Sequence, residues 1–125
     1  MAGTSAESTA ALARGEWPTY AGSYASAKYS PLDQIDAANV ASLTIAWRWT
    51  SPDHAVRAEH ASIDPSWLNE STPLMVNGVL YTSTSLSQVA AIDAATGRTK
   101  WVFDPGAWKL GMPTNNGWLN RGVAY

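Results

Sequence analysis

The sequence contains no cysteine among its 125 residues. This absence excludes disulfide bridges, thiol nucleophiles, zinc sites built on cysteine and iron–sulfur clusters. A basic excess is missing as well, since eight Lys and Arg residues stand against ten Asp and Glu, for a formal net charge of -2. Nucleic-acid-binding domains show the opposite balance. We therefore expect no nucleic-acid partner.

Long apolar runs are also absent, because the uninterrupted ones have only a few residues. A membrane-spanning helix needs about 20 apolar residues, so we predict none, and no signal-peptide core is visible. Charged residues make up only 14% of the chain, whereas 46% are apolar and seven are Trp. Such a composition requires burial of the aromatic side chains, and the length allows one small domain at most.

The first 50 residues are predicted to form two segments. Residues 1–15 contain no aromatic residue and no hydrophobic period, which predicts a disordered tail. Residues 16–50 begin with an irregular strap rich in Trp and Tyr, followed by a short helix that Asp36 would cap. The segment ends with a predicted strand over residues 44–50, where Ile45, Trp47 and Trp49 alternate with smaller or polar neighbours.

The clearest secondary-structure signal lies in residues 72–104, after a predicted long loop over residues 51–71. Asn77-Gly78 between two β-rich runs is a strong hairpin signal, because a type I′ turn needs positive φ at both central residues. Gly97 suits a left-handed turn position further along. The pattern predicts four antiparallel strands with no helix between them, over residues 74–76, 79–83, 88–93 and 99–103.

Internal repetition makes the fold prediction more specific. Trp47 and Trp101 open similar strand patterns 54 residues apart, and the Gly-Val of residues 78–79 returns 44 residues later at 122–123. Four-stranded propeller blades repeat at about this spacing. We predict an all-β fold that is a β-propeller fragment: the amino-terminal strand of the closing blade, a first four-stranded blade at 72–104, then a loop and the start of the second blade at 105–125. A lone blade leaves strand edges and aromatic faces uncovered, so we expect no cooperative fold from the chain alone.

Several motifs are similar to one family. Residues 91–101 (AIDAATGRTKW) resemble the tryptophan-docking repeat of the pyrroloquinoline-quinone (PQQ) dehydrogenases, in which the Trp packs between blades. Further likenesses to the amino-terminal portion of that family, together reaching from residue 16 to residue 125, lie at 17–20 (WPTY), 29–32 (YSPL), 70–74 (ESTPL) and 120–125 (NRGVAY). Residues 104–109 (DPGAWK) favour its glucose-type or membrane-associated branch.

The resemblance implies an eight-bladed propeller that oxidises a sugar or alcohol with PQQ and calcium in the periplasm. It implies that this chain is the amino-terminal fragment of such an enzyme, inactive alone, whose partners are the missing carboxy-terminal blades. Glu70 stands where the family has a glutamate that contacts the quinone, and Arg121 where it has an arginine that pairs with a quinone carboxylate. The calcium ligands and the general-base Asp of the family fall in later blades, so this chain would hold no catalytic residue and no metal.

One position departs from the family pattern. Alcohol-oxidising members place a vicinal Cys-Cys ring against the quinone, whereas Asn115-Asn116 stands at the aligned place here. This difference favours a branch that covers the cofactor in another way, with Asn116 or Trp118 as candidates.

Alternatives to the cofactor-site interpretation remain open. Without the resemblance, Glu70 is a solvated loop residue and Arg121 the cap of a strand end, and the whole chain could belong to a non-catalytic propeller scaffold of the bacterial envelope or a sugar-binding β domain. His54 and His60, with Asp53 and Glu59 beside them, have a spacing that fits neither a helical metal pair nor a zinc finger, so we interpret them as a solvated loop. Asn69-Glu70-Ser71 matches a glycosylation acceptor, a pattern that is frequent by chance.

Overall fold

The computed structural model describes residues 5–64, 70–114 and 117–125. Its regular elements are two α-helices, two short 3₁₀ turns and four strands. In chain order they are α1 (Ser5–Ala13), a 3₁₀ turn (Val40–Ser42), α2 (Asp53–Glu59), β1 (Leu74–Val76), β2 (Val79–Ser83), β3 (Val89–Asp93), β4 (Thr99–Phe103) and a second 3₁₀ turn (Ala107–Leu110). Within these described ranges, no helix combines the length and the apolar character that crossing a bilayer requires.

The four strands form one antiparallel sheet in the order β1-β2-β3-β4. Tyr81 in the middle of β2 pairs with Leu74 on one side and Ala91 on the other. The predicted sheet over residues 72–104 is confirmed, and β3 begins one residue later than expected. The alternation of residues and the turn residues were sufficient to predict this sheet, because each strand pairs with its neighbour in sequence.

The turns of the sheet have the conformation that their residues predict. Asn77 and Gly78 both have positive φ, 50° and 75°, as the hairpin between β1 and β2 requires. Between β3 and β4, Gly97 has a φ of 72° and its N–H donates to the carbonyl of Asp93 at 2.9 Å. The Thr96 hydroxyl and the Thr96 N–H both donate to the Asp93 carboxylate, and they hold the pKa of Asp93 below its ordinary value of 3.8.

The core lies over β1 and β3, whereas β4 is an exposed edge. The best buried apolar side chains belong to β1, β3 and the turn before β3, and they include Leu74, Leu86, Ala90, Ala91 and Ile92. All five residues of β4 are exposed. The sheet therefore has one strand that the described residues leave without a packing layer.

The prediction of a disordered tail over residues 1–15 was wrong, because Ser5–Ala13 form the helix α1. Alanine has the highest helix propensity, and Ala11 and Leu12 are buried. Trp17, just after this helix, pairs with β1 by exchanging two backbone hydrogen bonds with Met75, at 2.8 and 3.0 Å. Sequence reasoning missed the helix since its apolar residues are small and show no strong period.

Two further segments differ from their predictions. The loop predicted over residues 51–71 contains the helix α2, and the helix predicted after Asp36 is only a three-residue 3₁₀ turn, although the Asp36 carboxylate does accept the N–H groups of Ala38 and Asn39. Residues 44–50 join no strand ladder of the described sheet. A strand needs a hydrogen-bonding neighbour, and here Trp47 and Trp49 instead donate their indole N–H groups to the β3–β4 region, at Ala94 and Thr99.

Candidate functional site

The structure brings together the two residues that the sequence singled out. Glu70 lies just before β1 and Arg121 lies near the end of the chain, and Arg121 Nε is 3.1 Å from Glu70 Oε2. The arginine side chain is 79% exposed and the glutamate side chain 39%. An exposed pair of this kind contributes little to stability, about 0–1 kcal/mol. The pair therefore matters less for stability than for placing a positive and a negative group side by side at an open surface.

A cavity of about 540 Å³ opens beside this pair, lined by Tyr20, Glu70 and Arg121. Tyr20 belongs to the WPTY motif, but sequence reasoning placed it only in an aromatic strap and did not assign it to the site. Lys28 Nζ lies over the ring of Tyr20, 5.6 Å from the ring centroid. The cavity thus combines a carboxylate, a guanidinium and a phenol.

The backbone around Gly122 brings the two segments into contact. Thr72 and Gly122 form an isolated parallel bridge, in which the Thr72 N–H donates to the Arg121 carbonyl at 3.3 Å. Gly122 has a φ of 140°, and a Cβ there would lie 3.2 Å from the Thr72 carbonyl oxygen. A side chain at this position would therefore press the Arg121 segment away from the Glu70 segment.

The end of β2 and the turn between β2 and β3 hold the segments that carry Glu70 and Arg121. On one side, Ser71 Oγ lies 3.1 Å from the hydroxyls of Thr82 and Ser83, at the end of β2. On the other side, the side-chain amide of Asn120 donates to the carbonyls of Thr84 and Ser85, both at 3.0 Å. Ser71 is next to Glu70 and Asn120 is next to Arg121, so the end of β2 and the turn that follows it position the residues beside both members of the ion pair.

Asp53 anchors the same turn from helix α2. The residue is only 7% exposed, and its carboxylate accepts hydrogen bonds from the Thr84 hydroxyl at 2.6 Å and the Leu86 N–H at 3.2 Å. The interpretation of residues 53–60 as a solvated loop was therefore wrong for Asp53, while His54, Glu59 and His60 are exposed. Sequence reasoning missed the role of Asp53 because its partners are 31 and 33 residues away.

No metal centre forms from the described part of the chain, where no group of three His, Cys, Asp or Glu residues lies close enough to hold an ion. His60 instead packs against the indole of Trp108, with ring centroids 4.7 Å apart. Asn115 and Asn116, at the place of the family's vicinal disulfide, lie outside the described residues, as does Asn69 of the glycosylation pattern. Trp118 is 5% exposed and therefore a core residue in this structure.

Comparison with known proteins identifies the family. The model of the PQQ family, described as the glucose/ethanol/alcohol dehydrogenase β-propeller domain, matches residues 17–125. Among relatives, the chain is 42% identical over 113 residues to the quinohemoprotein alcohol dehydrogenase ADH IIB of Pseudomonas putida, covering 90% of this chain and 15% of the relative. It is 35% identical over 100 residues to quinoprotein glucose dehydrogenase A of Acinetobacter calcoaceticus, covering 80% of this chain and 12% of the relative.

Solved structures agree with the sequence matches. The chain is similar to the quinohemoprotein alcohol dehydrogenase ADHIIG of Pseudomonas putida with a TM-score of 0.75 and 33% identity, over 98% of this chain and 16% of the other. The enzyme of the same type from Comamonas testosteroni gives a TM-score of 0.63 and 38% identity, over 82% of this chain and 14% of the other. The chain thus spans less than a fifth of the length of these relatives.

The matched sheet is in these comparisons part of a propeller, which confirms the predicted all-β propeller fold. On the family model, the sequence identities and the structural match, the chain belongs to the PQQ dehydrogenase β-propeller family.

Proposed function

We propose that this chain is the amino-terminal segment of a PQQ-dependent dehydrogenase that oxidises a sugar or alcohol, and that it supplies Glu70 and Arg121 to the cofactor. The observation that carries the proposal is the Glu70–Arg121 pair, 3.1 Å apart at the edge of a cavity of about 540 Å³, in a chain whose relatives are quinoprotein dehydrogenases. The enzyme would work in the periplasm.

The chemistry of the pair fits the cofactor. PQQ carries three carboxylates, and a guanidinium has five N–H donors that can hold a carboxylate through two parallel bonds. Arg121 uses Nε toward Glu70, and its side chain is 79% exposed, so other N–H groups are open to an anion. Glu70 would accept a hydrogen bond from the polar edge of the quinone. Bound PQQ supplies the two-electron acceptor, while these residues bind and orient it.

The calcium ligands would have to lie elsewhere in the full-length protein. The residues that the structure describes contain no cluster of three potential ligands, and neither Glu70 nor Arg121 stands beside one. The proposed role of this chain is thus recognition of one side of the cofactor, with the metal and the general base outside it.

The proposal predicts that Arg121 controls cofactor affinity in a complete enzyme. A suitable protein is a full-length chimera, in which this chain replaces the matching segment of the Comamonas testosteroni quinohemoprotein alcohol dehydrogenase. In the apo-chimera, Arg121→Ala should weaken PQQ binding by roughly two orders of magnitude, because a buried cofactor carboxylate loses its partner at a cost of about 3 kcal/mol. Arg121→Lys should weaken binding less than alanine does, because lysine keeps the positive charge, but it should still weaken binding, because an ammonium cannot form the parallel pair.

The measurement is a calorimetric titration of the apo-chimera with PQQ in the presence of calcium. Arg98→Ala is the matched control, because Arg98 is an exposed arginine on the far turn between β3 and β4. Equal affinities in the Arg121 and Arg98 variants would refute the cofactor role and favour a non-catalytic propeller scaffold.

The 125-residue chain alone should neither bind PQQ tightly nor oxidise a sugar or alcohol. An exposed Arg-carboxylate pair contributes about 0.2–1 kcal/mol, whereas micromolar affinity requires about 8 kcal/mol. The test is the same titration on the purified chain, followed by a dye-linked dehydrogenase assay. Submicromolar binding or turnover above background would show that the chain builds a complete site by itself.

A further inference from the structure

We propose that Asn120 is a positioning residue, which holds Arg121 against Glu70 by clamping its segment to the turn between β2 and β3. The importance of Asn120 for cofactor binding rests on the proposed function. The hydrogen bonds of Asn120, in contrast, are formed within this chain. Asn120 precedes Arg121 directly, so any displacement of its backbone displaces the guanidinium.

The Asn120 side chain faces three acceptors of one turn. Its Nδ2 is 3.0 Å from the Thr84 carbonyl, 3.0 Å from the Ser85 carbonyl and 3.3 Å from Ser87 Oγ. An amide nitrogen has two N–H donors, so the two carbonyls satisfy it and the Ser87 hydroxyl shares one of them. The residue is partly buried, which limits competition from water.

The turn that Asn120 grips is itself held from within. The Thr84 N–H donates to the Gln88 carbonyl at 2.9 Å, and the Gln88 N–H donates to the Thr84 hydroxyl at 3.2 Å. From helix α2, the buried Asp53 carboxylate accepts the Thr84 hydroxyl and the Leu86 N–H. The turn therefore has bonds of its own that do not depend on Asn120, and it can serve as a fixed support.

The support is shared with the Glu70 side of the pair. The last two residues of β2, Thr82 and Ser83, contact Ser71 through their hydroxyls. Elsewhere in the described structure, the Arg121 segment meets the Glu70 segment through the Thr72 N–H and the Arg121 carbonyl, at a long 3.3 Å. The two 3.0 Å hydrogen bonds from Asn120 to backbone carbonyls thus add to the longer backbone bond in holding the Arg121 segment.

Nuclear magnetic resonance of the ¹⁵N-labelled apo-chimera tests the clamp without cofactor. In the unmodified apo-chimera, we expect protected side-chain amide protons of Asn120, a resolved Arg121 Nε–H signal and an Overhauser contact between the Arg121 and Glu70 side chains. Asn120→Ala should abolish that contact and raise the exchange rate of the Arg121 Nε–H at least about tenfold, since exchange reports local opening. Asn120→Asp should act alike, because its carboxylate faces two carbonyl oxygens and cannot donate.

Asn39→Ala is the matched control. Asn39 Nδ2 also donates to a backbone carbonyl, that of Gln34 at 2.8 Å, far from Arg121 in the sequence. This variant should leave the Arg121 signal unchanged, and Ser87→Ala, which removes only the longest contact, should shift it slightly. An Arg121–Glu70 contact that survives both Asn120 variants would overturn the proposal.

The experiment still decides if the Asn120 variants do not fold. In the unmodified apo-chimera, free exchange of the Asn120 amide protons overturns the clamp, and protected exchange supports it. Failure of the clamp also differs from failure of the proposed function. The Asn120 variants could change the exchange of the Arg121 Nε–H while Arg121→Ala leaves the PQQ affinity unchanged. That result would support the clamp and refute the cofactor role.

Discussion

Replacing Trp101 with alanine should lower the free energy of unfolding of the full-length chimera by about 3–5 kcal/mol, the usual cost of truncating a buried large aromatic side chain. In the 125-residue chain Trp101 is 47% exposed and lies on the uncovered strand β4. A loss of this size in the chimera would therefore measure packing that the rest of the propeller supplies.

In the described structure, the Trp101 side chain packs against aromatic residues but also borders an open cavity. Its ring lies 6.1 Å from that of Tyr81, which in turn lies 5.5 Å from Tyr125. A cavity of about 460 Å³ opens between them, lined also by Val89, Val123 and Ala124. The resemblance of residues 91–101 to the docking repeat implies that a neighbouring blade covers this tryptophan, and such a layer would turn the half-exposed ring into a buried one.

Thermal and urea unfolding of the chimera measure the effect, with Trp101→Phe as the conservative variant that keeps an aromatic ring. A melting temperature of the chimera that is unchanged by Trp101→Ala would show that the side chain remains in water. That result would contradict the assignment of residues 91–101 as a docking repeat.

Asp53→Ala should lower the free energy of unfolding of the full-length chimera by about 3 kcal/mol or more. The substitution leaves the buried Thr84 hydroxyl and Leu86 N–H without their acceptor, and hydrogen bonds to a charged group contribute about 1.5–3 kcal/mol each. Asp53→Asn should also destabilise the chain, because one of its two oxygens is replaced by a donor that faces a donor.

Urea unfolding of the full-length chimera, followed by circular dichroism, gives the measurement, and a variant without a folded signal in the absence of urea shows the largest effect. Glu59→Ala on the same helix is the control, since Glu59 is exposed and should change stability by less than about 0.5 kcal/mol. Equal midpoints for the two variants would show that Asp53 does not hold the turn between β2 and β3.

The parts of the fold that depend on near neighbours could be predicted from the sequence. The hairpin at Asn77-Gly78, the turn at Gly97 and the four strands follow from positive-φ residues placed between alternating runs, because consecutive antiparallel strands pair locally. The motifs around Glu70 and Arg121 likewise indicated the family that the comparisons then established. Local conformational preference and motif order were enough for these conclusions.

The architecture of the site was decided by tertiary structure. Asp53 looked like a loop residue, and Asn120 looked like the neighbour of an arginine, yet both bind the turn at residues 84–88, which lies more than 30 residues away from each in the sequence. The helix α1 was mispredicted for a related reason, whereas the strand over residues 44–50 stays a prediction, because the carboxy-terminal strands that the family resemblance implies as its partners are not in this chain. Weakly periodic residues take the structure that their long-range partners impose, and a sequence pattern carries no record of which distant groups will satisfy a buried carboxylate or an amide.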